Sequence, residues 1–218
     1  MFFSAVQAQE FEPLFNGKDL NGWHTVDNNM WSVENGMITS GTLNEMVKHN
    51  TFLVSDETFQ NFELKLSFRL VGTEGFVNSG FQVRSVSVEN SNEMSGYQID
   101  AGDGWWGKLY DESRRNRVIA EPKDMADIDK AVKRGEWNDY RILCDGRLIR
   151  SWINSVPSIE YTETNLQLPQ DGHIGIQLHS GGYSVLQVKD IFIKKLPDTP
   201  NLPKWSDVDK HSMIKLLN

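Results

Sequence analysis

The sequence predicts an all-β protein in which two antiparallel sheets pack as a sandwich. Apolar and polar residues alternate in about eleven short runs, as they do in strands with one buried face. Turn-forming residues separate the runs, and the order of elements contains no strand–helix–strand rhythm. A chain of 218 residues can bury such a core as one domain without disulfides.

The clearest strand is the run from Phe62 to Leu70, where apolar and polar residues alternate without a fault. Asp145-Gly146 lies between two alternating runs and predicts a hairpin turn. Helical spacing is visible at 123–134, and a short helical turn is expected near 206–217. The predicted strands are residues 31–34, 36–41, 51–54, 62–70, 79–86, 97–101, 107–111, 137–145, 147–154, 173–179 and 184–195. The turns between them are Asn35-Gly36, Gly72, Asn78 to Gly80, Asp145-Gly146, Asp171-Gly172 and Gly181-Gly182.

Composition shifts occur only near the two ends of the chain. The first residues, MFFSAVQAQE, end a short apolar run with Val6-Gln7-Ala8, which is typical of the tail of a secretory signal peptide. We therefore expect residues 1–10 to be a leader remnant, 11–197 a β-sandwich domain and 198–218 a C-terminal extension of it. The expected location is periplasmic or secreted. No run approaches the ~20 apolar residues of a membrane helix, so membrane insertion is not expected.

Charge and cysteine content exclude several classes of protein. The net charge is −8 with acids and bases interspersed, which argues against nucleic acid or an anionic membrane as the partner. Cys144 is the only cysteine, so the chain can form neither an internal disulfide nor a cysteine-based zinc cluster. The chain also lacks nucleophile-elbow, metalloprotease, P-loop and dinucleotide motifs, and the E-x-D-x-x-E spacing of laminarinase-like strands.

The segment from Gly96 to Arg115 mixes acids, bases, Trp, Tyr and glycine, which is poor material for a core. Trp faces can cover the apolar face of a pyranose ring while charged groups reach its hydroxyls. This segment therefore suggests a sugar site, with a solvated hairpin as the alternative.

Three predicted strands each place two hydrogen-bonding side chains on the face opposite their apolar residues. If the three strands are neighbours, these six side chains line a concave polar floor, and the alternative is an ordinary solvated sheet face. The pairs are Gln82 with Arg84, Gln98 with Asp100, and Gln177 with His179. Trp152 also falls on the polar register of its strand.

Five motifs follow one another along the chain. They are FEPLFNGKDLNGW (Phe11 to Trp23), NSGFQVRS (Asn78 to Ser85), GYQIDAGDGWWGKLYDESRRNR (Gly96 to Arg117), GEWNDYRILCDGRLIRSWIN (Gly135 to Asn154) and GHIGIQLHSGG (Gly172 to Gly182). In this order they resemble the bacterial 3-keto-disaccharide hydrolase family. The resemblance runs from about residue 11 to 196 and implies a jelly-roll sandwich of the concanavalin and laminin-G type. The chain departs from the family at Gln98, where other members often have Glu, so Asp100 is the better acid–base candidate.

The resemblance implies action on glycosides already oxidised to a ketone at C3. Such a ketone acidifies the C2 proton, so a base can form an enolate that expels the C1 substituent, and water can then add back. No cofactor is expected and no metal ligands are assigned. A divalent metal held by His179, Asp100 or Glu112 stays open as an alternative electrophile.

Roles follow from this chemistry as hypotheses. The base is Asp100 or His179, and the proton donor to the leaving oxygen is Glu112 or Tyr110. Arg84, with Gln82 or Gln98, is expected to hold the C3 oxygen. The remaining candidates for substrate binding are Trp105, Trp106 and Trp152 as ring platforms, Gln177 on the polar face, and Lys108 and Arg114.

Alternatives remain at this stage. Structurally, Arg84 and Asp100 could form a cross-strand ion pair, Tyr110 could lie in the core, and Arg114 could pair with Glu112. Functionally, the same face could serve a non-catalytic carbohydrate-binding module or a conventional glycoside hydrolase. The expected partner in each case is a carbohydrate, bound by a monomer or a homodimer.

Overall fold

The computed structural model describes residues 10–25, 27 and 29–208. Most of the predicted leader 1–10 and the last ten residues of the C-terminal extension therefore lie outside the described residues. Within them, two antiparallel sheets pack face to face, which confirms the predicted jelly-roll sandwich. The strands are β1 (Glu12–Pro13), β2 (Trp23–His24), β3 (Trp31–Glu34), β4 (Met37–Thr42), β5 (Thr51–Phe59), β6 (Phe62–Gly75), β7 (Asn78–Ser87), β8 (Met94–Gly102), β9 (Leu109–Glu112), β10 (Arg117–Ala120), β11 (Asn138–Asp145), β12 (Leu148–Ile153), β13 (Val156–Thr162), β14 (Gly172–Leu178) and β15 (Gly182–Lys195).

The two sheets differ in the strands that they bring together. The first sheet has the order β13-β12-β11-β6-β15-β4-β3, with β1 paired to β15. The second sheet has the order β10-β9-β8-β7-β14-β5-β2. Because β8, β7 and β14 are neighbours, the expectation that three polar-faced strands lie side by side is confirmed.

Helix is scarce, as the sequence predicts. Helix α1 (Met125–Ala131) is shorter than the predicted 123–134, because the backbone is extended at both flanking residues, Asp124 and Val132. The Asp124 carboxylate caps α1 by accepting a hydrogen bond from the Ala126 amide. A 3₁₀ turn at Trp205–Asp207 covers the start of the turn predicted near 206–217, whose later residues are not described. In the described part of the chain, no helix has the length and apolar character needed to cross a bilayer.

The core lies between the sheets and is rich in aromatic rings. Phe68 stacks on Tyr140 with centroids 4.9 Å apart and meets Phe81 edge-on at 5.0 Å. The Tyr140 hydroxyl donates to the backbone carbonyl of Asp100 at 2.6 Å. The core therefore fixes the inner side of the strand that carries Asp100 on its outer face.

Four strands, β1, β2, β10 and β13, were not anticipated. In β13, Pro157 removes one backbone donor and breaks the strand pattern of the sequence. The structure tolerates this proline because β13 is the edge of the first sheet.

The predicted position of Arg84 on the polar face is wrong. Arg84 adopts a left-handed backbone conformation with φ 52°, and the pairing of β7 with β8 slips between Val83 and Val86. Such a bulge resets the alternation of side chains along a strand. The fully buried guanidinium donates to neutral acceptors only: the carbonyl oxygens of Gln60 and Gly146 and the side-chain oxygens of Asn61 and Gln170. Arg84 therefore joins strand ends and turns, and forms no ion pair with Asp100.

We predict that Arg84→Lys lowers the free energy of unfolding by about 2–4 kcal/mol. A lysine cannot present the planar set of donors that reaches four acceptors, so buried oxygens lose their partners. The control is Arg150→Lys, which alters an exposed pair with Glu160 and should cost less than about 0.5 kcal/mol. Urea unfolding of both variants measures the difference, and equal losses would contradict the structural role of Arg84.

Candidate functional site

A pocket of about 120 Å³ opens on the outer face of the second sheet. Residues of β7, β8 and β9 line it, together with side chains from the connections after β6, β8 and β14. The sequence pattern predicts Gln98, Asp100 and His179 on one polar face, and all three line this pocket. The lining residues are Phe76, Asn78, Gln98, Asp100, Trp105, Tyr110, Glu112 and His179.

Aromatic rings form one wall of this pocket. Trp105 meets Tyr110 at 6.0 Å and Phe76 at 6.4 Å between centroids, both edge-on. Phe76 in turn meets the His179 ring at 4.7 Å. Trp105 lies on a tight turn in which Gly104 has φ 80°, a conformation that favours glycine. The wall offers ring edges and faces of the kind that hold a sugar ring.

Asp100 lies at the floor, only 3% exposed. Its Oδ1 accepts a hydrogen bond from Gln98 Nε2 at 2.8 Å, whereas Oδ2 is buried without a hydrogen-bond partner among the described residues. Burial raises the pKa of Asp100 well above its usual range, and the nearby Glu112 carboxylate adds to the rise. Asp100 therefore holds its proton to a higher pH than an exposed aspartate does.

Glu112 stands beside Asp100 on the neighbouring strand β9. Burial raises the pKa of Glu112 to about 7, and the Glu93 carboxylate adds to this rise. Hydrogen bonds from Gln177 and from the Ser113 backbone act in the opposite direction but are smaller. Glu112 is therefore poised between its acid and base forms at neutral pH, where general acid–base groups are most effective.

His179 and Tyr110 stand on either side of the carboxyl groups. The His179 Nδ1 lies 2.8 Å from the Ser180 carbonyl oxygen, so Nδ1 carries the hydrogen and Nε2 is left to accept or, once protonated, to donate. Burial raises the pKa of Tyr110, with further contributions from Glu112 and Asp100, so its hydroxyl stays protonated. Tyr110 lines the pocket rather than the core.

Two predicted substrate contacts lie under the pocket instead of in it. Gln82 and Gln177 are fully buried and hydrogen-bonded to Gln98, which alone of the three lines the pocket. In place of the predicted contact with a sugar, Gln82 bonds Gln98 and Ser85, and Gln177 bonds Gln98 and Glu112.

Two of the predicted ring platforms are elsewhere. Trp106 is 4% exposed and packs in the core near Phe68, with its indole nitrogen bonded to Asp103. It follows Trp105 directly in the turn between β8 and β9, where strand alternation does not tell which ring faces the pocket. Trp152 lies on β12 of the first sheet, where the Arg141 guanidinium covers its ring at 4.4 Å. Alternation could not show which sheet a strand joins.

The two secondary basic candidates also lie outside the pocket. Arg114 is buried against the Tyr97 ring and pairs with Asp111 at 2.8 Å, not with Glu112. Lys108 lies nearer, 5.6 Å from the Trp105 ring, but its ammonium pairs with Glu121 at 3.2 Å.

Sequence reasoning missed Phe76, Asn78 and Glu93. Phe76 and Glu93 sit just outside strands, where alternation carries no information about direction. Asn78 begins β7, and its backbone carbonyl accepts from the His179 amide at 3.1 Å. Phe76 is 39% exposed, and an exposed aromatic residue beside a predicted polar strand is the signal that could have been followed.

A larger cavity of about 480 Å³ lies along β3, β4 and the residues after β4. Its charged residues, Glu34, Glu45, Lys48 and His49, are all exposed to solvent, unlike Asp100 at the floor of the smaller pocket. Among the described residues, no group of three or more His, Cys, Asp or Glu is arranged to hold a metal ion. The smaller pocket is therefore the better candidate for chemistry.

A family model described as the 3-keto-alpha-glucoside-1,2-lyase-like domain matches residues 10–194. A comparison with curated proteins gave no significant match.

Solved structures with a similar fold come from carbohydrate-related proteins. A Parabacteroides distasonis protein provisionally named a glycosyl hydrolase has 22% identity and a TM-score of 0.66, over 86% of this chain and 94% of that one. The carbohydrate-binding module CBM66 of Bacillus subtilis has 14% identity and a TM-score of 0.59, over 80% of this chain and 96% of that one. The carbohydrate recognition domain of Emp46p has 11% identity and a TM-score of 0.58, over 82% and 91% of the two chains. At these identities the likeness shows the fold alone.

We predict that Glu112→Gln stabilises the protein at pH 8 more than at pH 5. A pKa raised from 4.5 to about 7 means that the folded state holds a proton that the unfolded state has lost, so stability falls as pH rises through this window. Glutamine has no such charge, and the gain should grow by about 1–2 kcal/mol between the two pH values, allowing for solvent screening. Urea unfolding at the two pH values measures this gain in the free energy of unfolding. For the exposed control Glu160→Gln, the change in the free energy of unfolding should be the same at pH 5 and pH 8. If the gain for Glu112→Gln is also the same at both pH values, the raised pKa of Glu112 is refuted.

Proposed function

The chain belongs to the 3-keto-alpha-glucoside-1,2-lyase-like family, and we propose that it cleaves glycosides whose sugar ring carries a ketone at C3. One observation carries the proposal: Glu112, whose pKa burial raises to about 7, shares a pocket with Asp100, whose pKa burial raises well above its usual range. Removing a proton from carbon beside a ketone needs such a base near the operating pH.

The proposed reaction is an elimination that neither oxidises nor reduces the substrate overall. Glu112 takes the C2 proton, and the electrons of that bond form an enolate with the charge on the C3 oxygen. The ketone then re-forms, a C1–C2 double bond appears, and the C1–O bond breaks. The leaving oxygen keeps the bonding electrons and takes a proton. Addition of water across the double bond would complete a net hydrolysis.

Donors around Glu112 fit the other parts of this reaction. The Tyr110 hydroxyl and the His179 ring line the pocket and can supply hydrogen bonds to the C3 oxygen and a proton to the leaving oxygen. Trp105 and Phe76 would hold the sugar ring against the acid–base groups. A divalent metal is not needed for any of these steps, and we propose that none is required.

The base in this proposal is Glu112 and not Asp100, the first candidate from the sequence. Asp100 is covered, burial raises its pKa well above its usual range, and Gln98 holds one of its oxygens. We propose that Asp100 keeps its proton at neutral pH, which would make it a poor base. Arg84 has no role in the proposed reaction, because its guanidinium donates to Gln60 and Gln170 away from the pocket.

Paired glucosides, 3-keto and unoxidised, test the substrate directly. We expect cleavage of the 3-keto compound only, with an unsaturated or hydrated 3-keto sugar and the free alcohol detected by mass spectrometry. The rate should not change with a chelator. Cleavage of the unoxidised compound would favour a conventional glycoside hydrolase, and binding without cleavage of either would leave a carbohydrate-binding module.

We predict that Glu112→Gln lowers kcat/KM on the 3-keto glucoside by about 10²–10⁴-fold, because glutamine cannot accept the C2 proton. In the wild type, kcat/KM should fall as pH drops through about 7, since the base is then protonated. Glu160→Gln, remote from the pocket, should keep the wild-type rate and profile. A Glu112→Gln variant that binds and reacts normally would remove Glu112 from the mechanism.

A further inference from the structure

Three side-chain amides form a hydrogen-bonded chain beneath the two carboxyl groups. Gln82 Nε2 donates to Gln98 Oε1 at 2.9 Å. Gln98 Nε2 is directed at Asp100 Oδ1 at 2.8 Å, at Gln177 Oε1 at 3.1 Å and, more distantly, at Glu112 Oε2 at 3.5 Å. Gln177 Nε2 reaches the same Glu112 oxygen at 3.4 Å. All three amides are buried, so water does not compete for these bonds.

The chain has a single direction. The Ser85 hydroxyl donates to Gln82 Oε1, which turns the Gln82 nitrogen toward Gln98 and the Gln98 nitrogen toward the carboxyl groups. Rotating the Gln98 amide alone by half a turn would place its nitrogen against the Gln82 Nε2 donor. That contact is repulsive, so Gln98 keeps its nitrogen toward the carboxyl groups while Ser85 holds Gln82.

The backbone leaves a slot for the Gln98 amide. Gln177, Gly80 and Asp100 face one another across β14, β7 and β8. Gly80 has no side chain, and the Gln98 side chain lies over it. A Cβ at Gly80 would stand 2.3 Å from Gln98 Cδ and 2.7 Å from Gln98 Nε2. The amide can therefore reach between Gln177 and Asp100 only because this position is glycine.

We propose that Gln98 is a positioning residue that sets how readily the Asp100–Glu112 pair gives up its proton. Because Oδ1 of Asp100 accepts from the amide, the proton of Asp100 resides on Oδ2. The amide donor at Asp100 Oδ1 favours the ionised form of Asp100, and the more distant donors at Glu112 Oε2 favour the ionised form of Glu112, both against the cost of burial. The proposal rests on the proposed function only for the use that the enzyme makes of Glu112.

Other charged groups face the same pair and set its background. The carboxylates are Glu93, before β8, and Asp111, on β9 itself; the cationic or protonatable groups are Lys108 and His179, and the remaining titratable group is Tyr110. None of these five groups is replaced in the Gln98 or Gly80 variants, so a shift in the pKa of Glu112 reports on the amide, either directly or through Asp100, which the same amide contacts.

The test is a carbon-13 NMR titration of the Glu112 carboxyl signal, which needs no substrate. Gln98→Met keeps a similar length and removes the donors, and Gly80→Ala keeps the glutamine but displaces it. We expect both to raise the pKa of Glu112 by about half a unit to one unit. The control Gln187→Met makes the same exchange on the other sheet, where Gln187 bonds Arg69, and should leave Glu112 unchanged.

Activity adds an independent readout. In an active enzyme, the acid limb of kcat/KM should move up in pH by the same amount in both variants, with Gln187→Met unmoved. If Gln98→Met fails to fold, Gly80→Ala alone decides the question. An unchanged Glu112 titration in the folded variants overturns the proposal. If the Glu112 titration shifts in the variants but the wild-type protein cleaves no 3-keto glycoside, the role of Gln98 is upheld and only the proposed function is contradicted.

Discussion

The site depends on one constraint: the outer face of the second sheet is covered, although an antiparallel sandwich normally leaves such a face to water. Phe52 and Val54 of β5 pack under Met94 on this outer face, and the aromatic wall around Trp105 closes the opposite side. Carboxyl groups placed there lose water and hold their protons more tightly. The same Asp and Glu on an open sheet face would be ordinary surface acids.

Much of this arrangement could be read from the sequence, because alternation is a local property. The inward placement of Tyr97 and Ile99, and with it the outward placement of Gln98 and Asp100, follows from spacing alone. The sequence alone does not show that the three polar-faced strands are neighbours, but the order of strands in the second sheet does. The resemblance to a family of sugar-active proteins agreed with the family match over most of the chain.

The wrong predictions of side-chain position share a physical cause. Alternation of apolar and polar residues assumes a regular strand and does not show which strands pair or which side chains contact each other. A single left-handed residue at Arg84 reversed the face of its own side chain. Trp152 obeys the predicted alternation but belongs to the other sheet. Arg114 looked like a surface base beside an acid, yet Asp111 and the Tyr97 ring hold it in the interior. These outcomes depend on long-range pairing, which no local pattern contains.

The central claim is that Asp100 stays protonated while Glu112 ionises near neutral pH, so that one pocket holds an acid and a base together. Infrared difference spectroscopy between the wild type and Asp100→Asn at pH 7 tests it most directly, because a protonated carboxyl group has its own C=O stretching band. The account predicts that the wild type shows a protonated-carboxyl band that Asp100→Asn lacks. A carboxylate band in its place would show that Asp100 is ionised, and would contradict the account.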